Sequence, residues 1–157
     1  MPPFTNGMTA SLVIGQVNVT SNGAATTASG LAFPTGIAFD RAGNLWIGDS
    51  GNNRVLEFVP AFATGMSASV VLGQPDFVTA AANITQNGFH APFGLDFDSK
   101  DNMAVADELN SRTMAFKPPF TTDMDAVGVL GQPDFVTATA TTTAVGQTGP
   151  FSVRTLY

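Results

Sequence analysis

Two sets of residues have the types and spacing that could do chemistry. Asp49, Asn52 and Arg54 are followed 58 positions later by Asp107, Asn110 and Arg112. A carboxylate, an amide and a guanidinium on one rim would grip a polar ligand through charge-assisted hydrogen bonds. The same residue types also have a structural use. Asp bonds the N–H groups of a turn, Asn tolerates the left-handed conformation, and Arg ties the Asp to a neighbouring segment. Recurrence at identical spacing favours the structural use.

The remaining catalytic vocabulary is thin. His90 is the single histidine, its counterparts one period away are Ala32 and Thr148, and it reads as a partly exposed loop residue. Asp96 matches Ala38 and Arg154, and one carboxylate makes neither an acid–base pair nor a metal site. Asp98 matches Asp40 and belongs to a turn. Ser50 lacks a base and a nucleophile elbow. Asp123 and Asp125 replace Gly65 and Ser67 and read as surface acidity, with weak Ca²⁺ binding as the lesser reading. Zero Cys excludes a thiol nucleophile, a thiolate metal site and a disulfide scaffold. No catalytic residue, cofactor ligand or metal ligand is assigned, and the chain is read as non-enzymatic.

Composition narrows the class further. The chain has 157 residues, a net charge of −6 and 11% charged residues, against roughly 25% in an average soluble domain. Hydrophobic residues reach 44%, too many for a disordered chain. Acidic balance without Lys/Arg clusters argues against nucleic acid. No apolar run approaches the about 18 residues of a membrane span.

The elements that position these residues are set by a repeat. Phe4, Phe62 and Phe120, Gly15-Gln16, Gly73-Gln74 and Gly131-Gln132, and Pro34, Pro92 and Pro150 all recur at 58 residues without a gap. Residues 2–59 match 60–117 at 21 of 58 positions, and 60–99 match 118–157 at 20 of 40. Each period reads as β. Residues 36–40, 45–49, 54–58 and 69–72 are short alternating runs separated by Gly/Asn/Pro turns; the second copy falls near 94–98, 103–107, 112–116 and 127–130. No sustained 3.6-residue pattern predicts a helix. Phe39, Ile47 and Leu56 are the expected core face of the first unit, and Phe97, Val105 and Met114 that of the second. Polar inserts at 17–32, 75–90 and 133–148 read as solvated loops, anchored by buried Phe77 and Phe135.

Three segments carry a resemblance. Pro34-Thr-Gly-Ile-Ala-Phe-Asp40, Gly43-Asn-Leu-Trp-Ile-Gly-Asp49 and Gly51-Asn-Asn-Arg-Val-Leu-Glu-Phe58 resemble an NHL repeat. The second copy keeps Pro92, Gly94, Asp98, Asn102, Asp107, Asn110, Arg112 and Phe116 but departs at Ala104, Leu109 and Ser111. Val-Leu-Gly-Gln-Pro-Asp-Phe at 71–77 and 129–135 resembles the linker of long-period, secreted bacterial NHL proteins. The resemblance implies an all-β fold of tandem four-stranded antiparallel β-propeller blades. The chain is then one propeller segment, 1–157, with full blades at about 33–73 and 91–131, a rim strand at 11–15 and an inner strand near 150–155.

The blade count implies an incomplete ring. A closed propeller takes about 4–8 blades, whereas 157/58 gives 2.7 periods. A free monomer would expose flat faces and unpaired edges, so the chain is not expected as a free, closed monomer. Three readings stand: a segment of a longer propeller, a ring closed by strand donation between two chains, and a head-to-tail filament. The expected role is an extracellular or cell-surface scaffold or assembly protein, its partners being further blades, copies of itself, and glycans. The alternatives are a carbohydrate- or protein-binding propeller module and, third, a lyase or hydrolase fragment. Asn18 and Asn83 lie in N-glycosylation sequons, and Thr137, Thr139, Thr141, Thr142 and Thr143 form a Thr-rich O-glycan acceptor stretch.

Overall fold

The computed structural model describes residues 5–142. Turn chemistry cuts this span into eight short strands. They are β1 (Pro34–Phe39), β2 (Leu45–Asp49), β3 (Arg54–Phe58), β4 (Val70–Leu72), β5 (Pro92–Phe97), β6 (Met103–Asp107), β7 (Arg112–Phe116) and β8 (Gly128–Leu130). They form two four-stranded antiparallel sheets, β1-β2-β3-β4 and β5-β6-β7-β8. The only helical elements among the described residues are two 3₁₀ turns, Ser50–Asn52 and Glu108–Asn110. The sheets are blades of the propeller type and do not close into a ring. The expected inner strand near 150–155 lies outside the described residues.

Local sequence explains each reversal. Asp40 receives the Asn44 backbone N–H at 2.9 Å and its side-chain amide at 2.9 Å, which closes the β1–β2 turn. Asp98 and Asn102 repeat this pairing in the second blade at 2.9 and 2.6 Å. After each 3₁₀ turn one residue takes a left-handed conformation: Asn53 at φ 53° and Ser111 at φ 49°. Asn adopts this region more readily than Ser. Gly36 is required by packing rather than by φ. A Cβ there would lie 2.7 Å from the Phe93 carbonyl oxygen, because the inner strands β1 and β5 converge.

Side chains alternate across each strand, and the two faces of a blade have different neighbours. On the front of the first blade, Ile47, Leu56, Phe58 and Val71 pack with Leu31 and Ala68. On its back, Trp46, Val55 and Leu72 meet the front of the second blade through Leu95, Met103, Val105, Met114 and Phe116. Trp46 is enclosed between Phe97 (ring centroids 5.9 Å) and Phe120 (4.8 Å). Its indole N–H donates to Asp40 at 3.1 Å, as a buried Trp requires.

Four expectations need correction. Phe39 is not core: it is 58% exposed, because among the described residues no blade lies against the inner half of the first blade's front. Residues 11–15 are not a strand, since no third strand lies beside them to form a ladder. The inserts are not simply solvated. Their ends fold back onto the blades, and the fully buried anchor is Phe89, while Phe77 and Phe135 are only half-buried. The edge of β4 is not bare. The Val71 N–H donates to Thr122 Oγ1 at 3.4 Å, and the Val71 carbonyl accepts from the Asp123 N–H at 3.1 Å. Val13 is capped in the same way by Thr64 and Gly65, at 3.3 and 3.4 Å.

Candidate functional site

The recurring polar residues sit at the turn between the second and third strands of each blade. Asp49 ends β2, Asn52 lies in the 3₁₀ turn and Arg54 opens β3, so the turn folds all three side chains together. One Asp49 oxygen accepts from the Ala32 N–H at 2.6 Å. The other accepts from Asn52 Nδ2 at 2.8 Å and Arg54 Nε at 2.7 Å. Arg54 also donates to the carbonyls of Phe77 (2.6 Å), Thr27 (2.9 Å) and Gly30 (3.1 Å). Asn52 donates to the Ala25 carbonyl at 2.9 Å and accepts from the Thr26 hydroxyl at 2.7 Å.

The second blade repeats the Asp and Arg bonds of this network, with Ile84 where the first has Thr26. Asp107 accepts from the His90 N–H at 2.7 Å, Asn110 Nδ2 at 2.9 Å and Arg112 Nε at 2.7 Å. Arg112 donates to the carbonyls of Phe135, Thr85 and Gly88, and Asn110 to that of Asn83. Burial pushes the Asp107 carboxyl upward, against the opposing pull of the His90 N–H, Asn110 and Arg112. All four charged side chains, Asp49, Arg54, Asp107 and Arg112, have no solvent exposure. They hold the polar inserts onto the blade, and they present no surface to a ligand.

Two further residues belong to these networks and were not singled out by type. Gln74 Nε2 bridges the carbonyls of Asn53 and Ala81 at 2.9 and 2.8 Å, and Gln132 Nε2 bridges those of Ser111 and Thr139 at 2.9 and 3.0 Å. Their signal was the Gly-Gln pair at each 58-residue step. Asn53 links the blades: its Oδ1 accepts from the Ala91 N–H at 2.8 Å, and its Nδ2 donates to the Ala80 carbonyl at 3.0 Å. Ser111 holds the matching place in the second blade.

The other candidates are scattered. His90 is half-buried and engages the Asp107 network through its backbone. The Asp96 carboxylate accepts from the Phe97 N–H at 2.9 Å. Asp123 takes φ 62° where the preceding period has Gly65, and it accepts from Asn87 Nδ2 at 2.9 Å. Asn18 is exposed, and its Oδ1 accepts from the Thr20 hydroxyl at 2.8 Å. Asn83 is exposed too, but the Thr85 hydroxyl donates to Asn87 at 2.8 Å. Thr137 to Thr142 lie in the third insert, and Thr143 is outside the described residues. A cleft of about 200 Å³ separates the Asp40–Arg41 turn from the Asp98–Asp101 turn. No group of three metal-binding side chains occurs among the described residues. No described helix is long and apolar enough to cross a membrane.

Asp76 and Asp134 start their inserts with identical caps. Asp76 Oδ1 accepts from the N–H groups of Val78 (2.9 Å) and Thr79 (2.7 Å); Asp134 does so from Val136 (3.0 Å) and Thr137 (2.8 Å). Hydrogen bonding, first from the Thr79 and Thr137 side chains, lowers both carboxyls below the ordinary 3.8. A depressed folded-state pKa contributes stability that is present above the unfolded value and lost as pH falls through the folded one. The Val78 and Thr79 amide resonances are therefore expected to titrate below pH 3.8, and Asp76→Asn to abolish that titration. A midpoint above 3.8 would contradict the capping.

The chain matches no curated protein. The span that holds β1, β2, the first 3₁₀ turn, β3 and the Asp49–Asn52–Arg54 network, residues 31–58, matches the NHL repeat family.

Proposed function

We propose that the chain is a non-enzymatic scaffold module of NHL-type propeller blades, displayed outside the cell or on its surface, whose partners are further blades. The observation that carries this reading is where the polar and apolar groups go. The recurrent Asp, Asn and Arg side chains are spent inside the blades, while apolar side chains remain uncovered on flat sheet faces, among them Ile37 at 65% and Leu130 at 64% exposure. Uncovered apolar sheet faces favour association over catalysis. The polar inserts, with exposed Asn18 and the Thr137–Thr142 stretch, suit an outer, glycan-bearing surface.

Protease shaving of intact source cells tests this. Peptides from the 17–32, 75–90 and 133–148 inserts are expected in the released fraction, with added hexose mass on Asn18 or on the Thr137–Thr143 stretch. Recovery only after lysis, with every acceptor bare, would overturn the surface role.

A further inference from the structure

Inside the chain, the back of the first blade covers the front of the second, and Leu95 is reduced to 6% exposure and Leu72 to 0%. Their counterparts one period away are Ile37 on the front of the first blade, 65% exposed, and Leu130 on the back of the second, 64% exposed, two faces that no other blade covers among the described residues. Ala104 holds the place of Trp46 on that back, so this face lacks the indole that Phe97 and Phe120 enclose at the internal joint. The two uncovered faces are therefore the periodic counterparts of the two buried ones, short of one indole.

The first residues repeat the end of the second blade. Residues 2–16 match 118–132 at 9 of 15 positions, including Pro-Pro-Phe-Thr at the start and Gly-Gln at the end. They also occupy the matching place, because Thr64 and Gly65 cap Val13 as Thr122 and Asp123 cap Val71. Yet residues 11–15 have no ladder, whereas β8 is paired with β7. Thr5 to Leu12 are exposed throughout. This segment is a weakly held stand-in for a strand that β8 would supply with its sheet attached.

We infer that the chain joins a second copy of itself head to tail: the back of the second blade of one copy docks on the front of the first blade of the next, and residues 121–132 of the former replace residues 5–16 of the latter. This rests on the scaffold reading and names its partner. In the junction Val129 takes the caps from Thr64 and Gly65, and Leu31 packs on Gly131 as Phe89 packs on Gly73. The exchange has a defined end. Gln132 holds Thr139 in the donating copy, and Asn52 holds Ala25 in the receiving one. The contact is heterologous, so it propagates rather than closing a symmetric pair.

Sedimentation of the purified full-length chain over a concentration series tests this. Wild type is expected to grow in steps of 16.2 kDa. Ile37→Lys and Leu130→Lys, both exposed and outside the blade cores, are each expected to stay monomeric. Mixed in equal amounts they should form a dimer and stop, since one keeps a working back and the other a working front. Ala104→Trp, with Asp98 placed as Asp40 is for Trp46, should bring assembly to at least tenfold lower concentration. A wild type and Ala104→Trp that stay monomeric at every concentration would overturn the proposal, as would single variants that still associate or a mixture that forms no dimer. The first of these outcomes would indicate that a different partner covers the face. Failure here leaves the surface reading to the shaving experiment, which does not depend on self-association.

Discussion

Arg54→Met is expected to lower the unfolding free energy by about 3–5 kcal/mol, the loss seen when one partner of a buried ion pair is removed. The Asp49 carboxylate would stay fully enclosed with only neutral donors, and the carbonyls of Phe77, Thr27 and Gly30 would each lose the Arg54 donor. Total stability of a domain is about 5–15 kcal/mol, so the change removes a large share of it. Arg54→Lys is expected to rescue little, because an ammonium lacks the planar fork that reaches Asp49 and three separate carbonyls at once. Arg41→Met is the control. Arg41 meets Asp101 at 4.0 Å with its side chain 68% exposed, and such a surface pair contributes about 0–1 kcal/mol. Urea denaturation followed by far-UV circular dichroism measures all three. Equal midpoints for Arg54→Met and Arg41→Met would show that the buried network does not hold the inserts.

Trp46→Ala is expected to cost about 3–5 kcal/mol, the range for deleting a buried aromatic. The loss falls between the blades rather than within one. The indole fills the space beside Phe97 and Phe120 and ties back to Asp40, so its removal leaves a cavity at the joint. Trp46→Phe should recover part of the loss, since it fills part of the volume but cannot donate to Asp40. The same urea experiment reads both variants. A loss under about 1 kcal/mol for Trp46→Ala, the scale of an ordinary surface substitution, would mean that the blades do not rely on this contact.

Much of the fold was legible because its causes are local. Asp40–Asn44 and Asp98–Asn102 are turns that two side chains close within four residues, so the strand spans beside them could be read to within a residue or two. Alternation marked two faces on each strand. What covers a face is decided 58 residues away, and alternation says nothing about it. Phe39 and Trp46 illustrate this. Phe39 is apolar in a regular strand and lies open, while its neighbour-face residue Trp46 is fully buried, because among the described residues only the back of the first blade has a blade against it.

The Asp–Asn–Arg spacing was legible, but its partners were not. Arg54 reaches carbonyls 23, 24 and 27 positions away, in inserts whose own composition reads as solvated loop. Gln74 and Gln132 were visible as a repeat and silent as to role, since a glutamine bridging two carbonyls leaves no pattern of its own.

The amino-acid sequence by itself determined the period, the strand-and-turn order and the inward-turned polar triad, because repeat spacing, turn residues and side-chain alternation act over a few residues. Only the tertiary structure decided which segments became strands and which faces stayed open. Residues 11–15 and 69–73 share Ser, Val and Gly at matched positions, yet only the second contains a strand. A strand is a hydrogen-bonded relation to a neighbour, and β3 lies beside one of these segments and not the other.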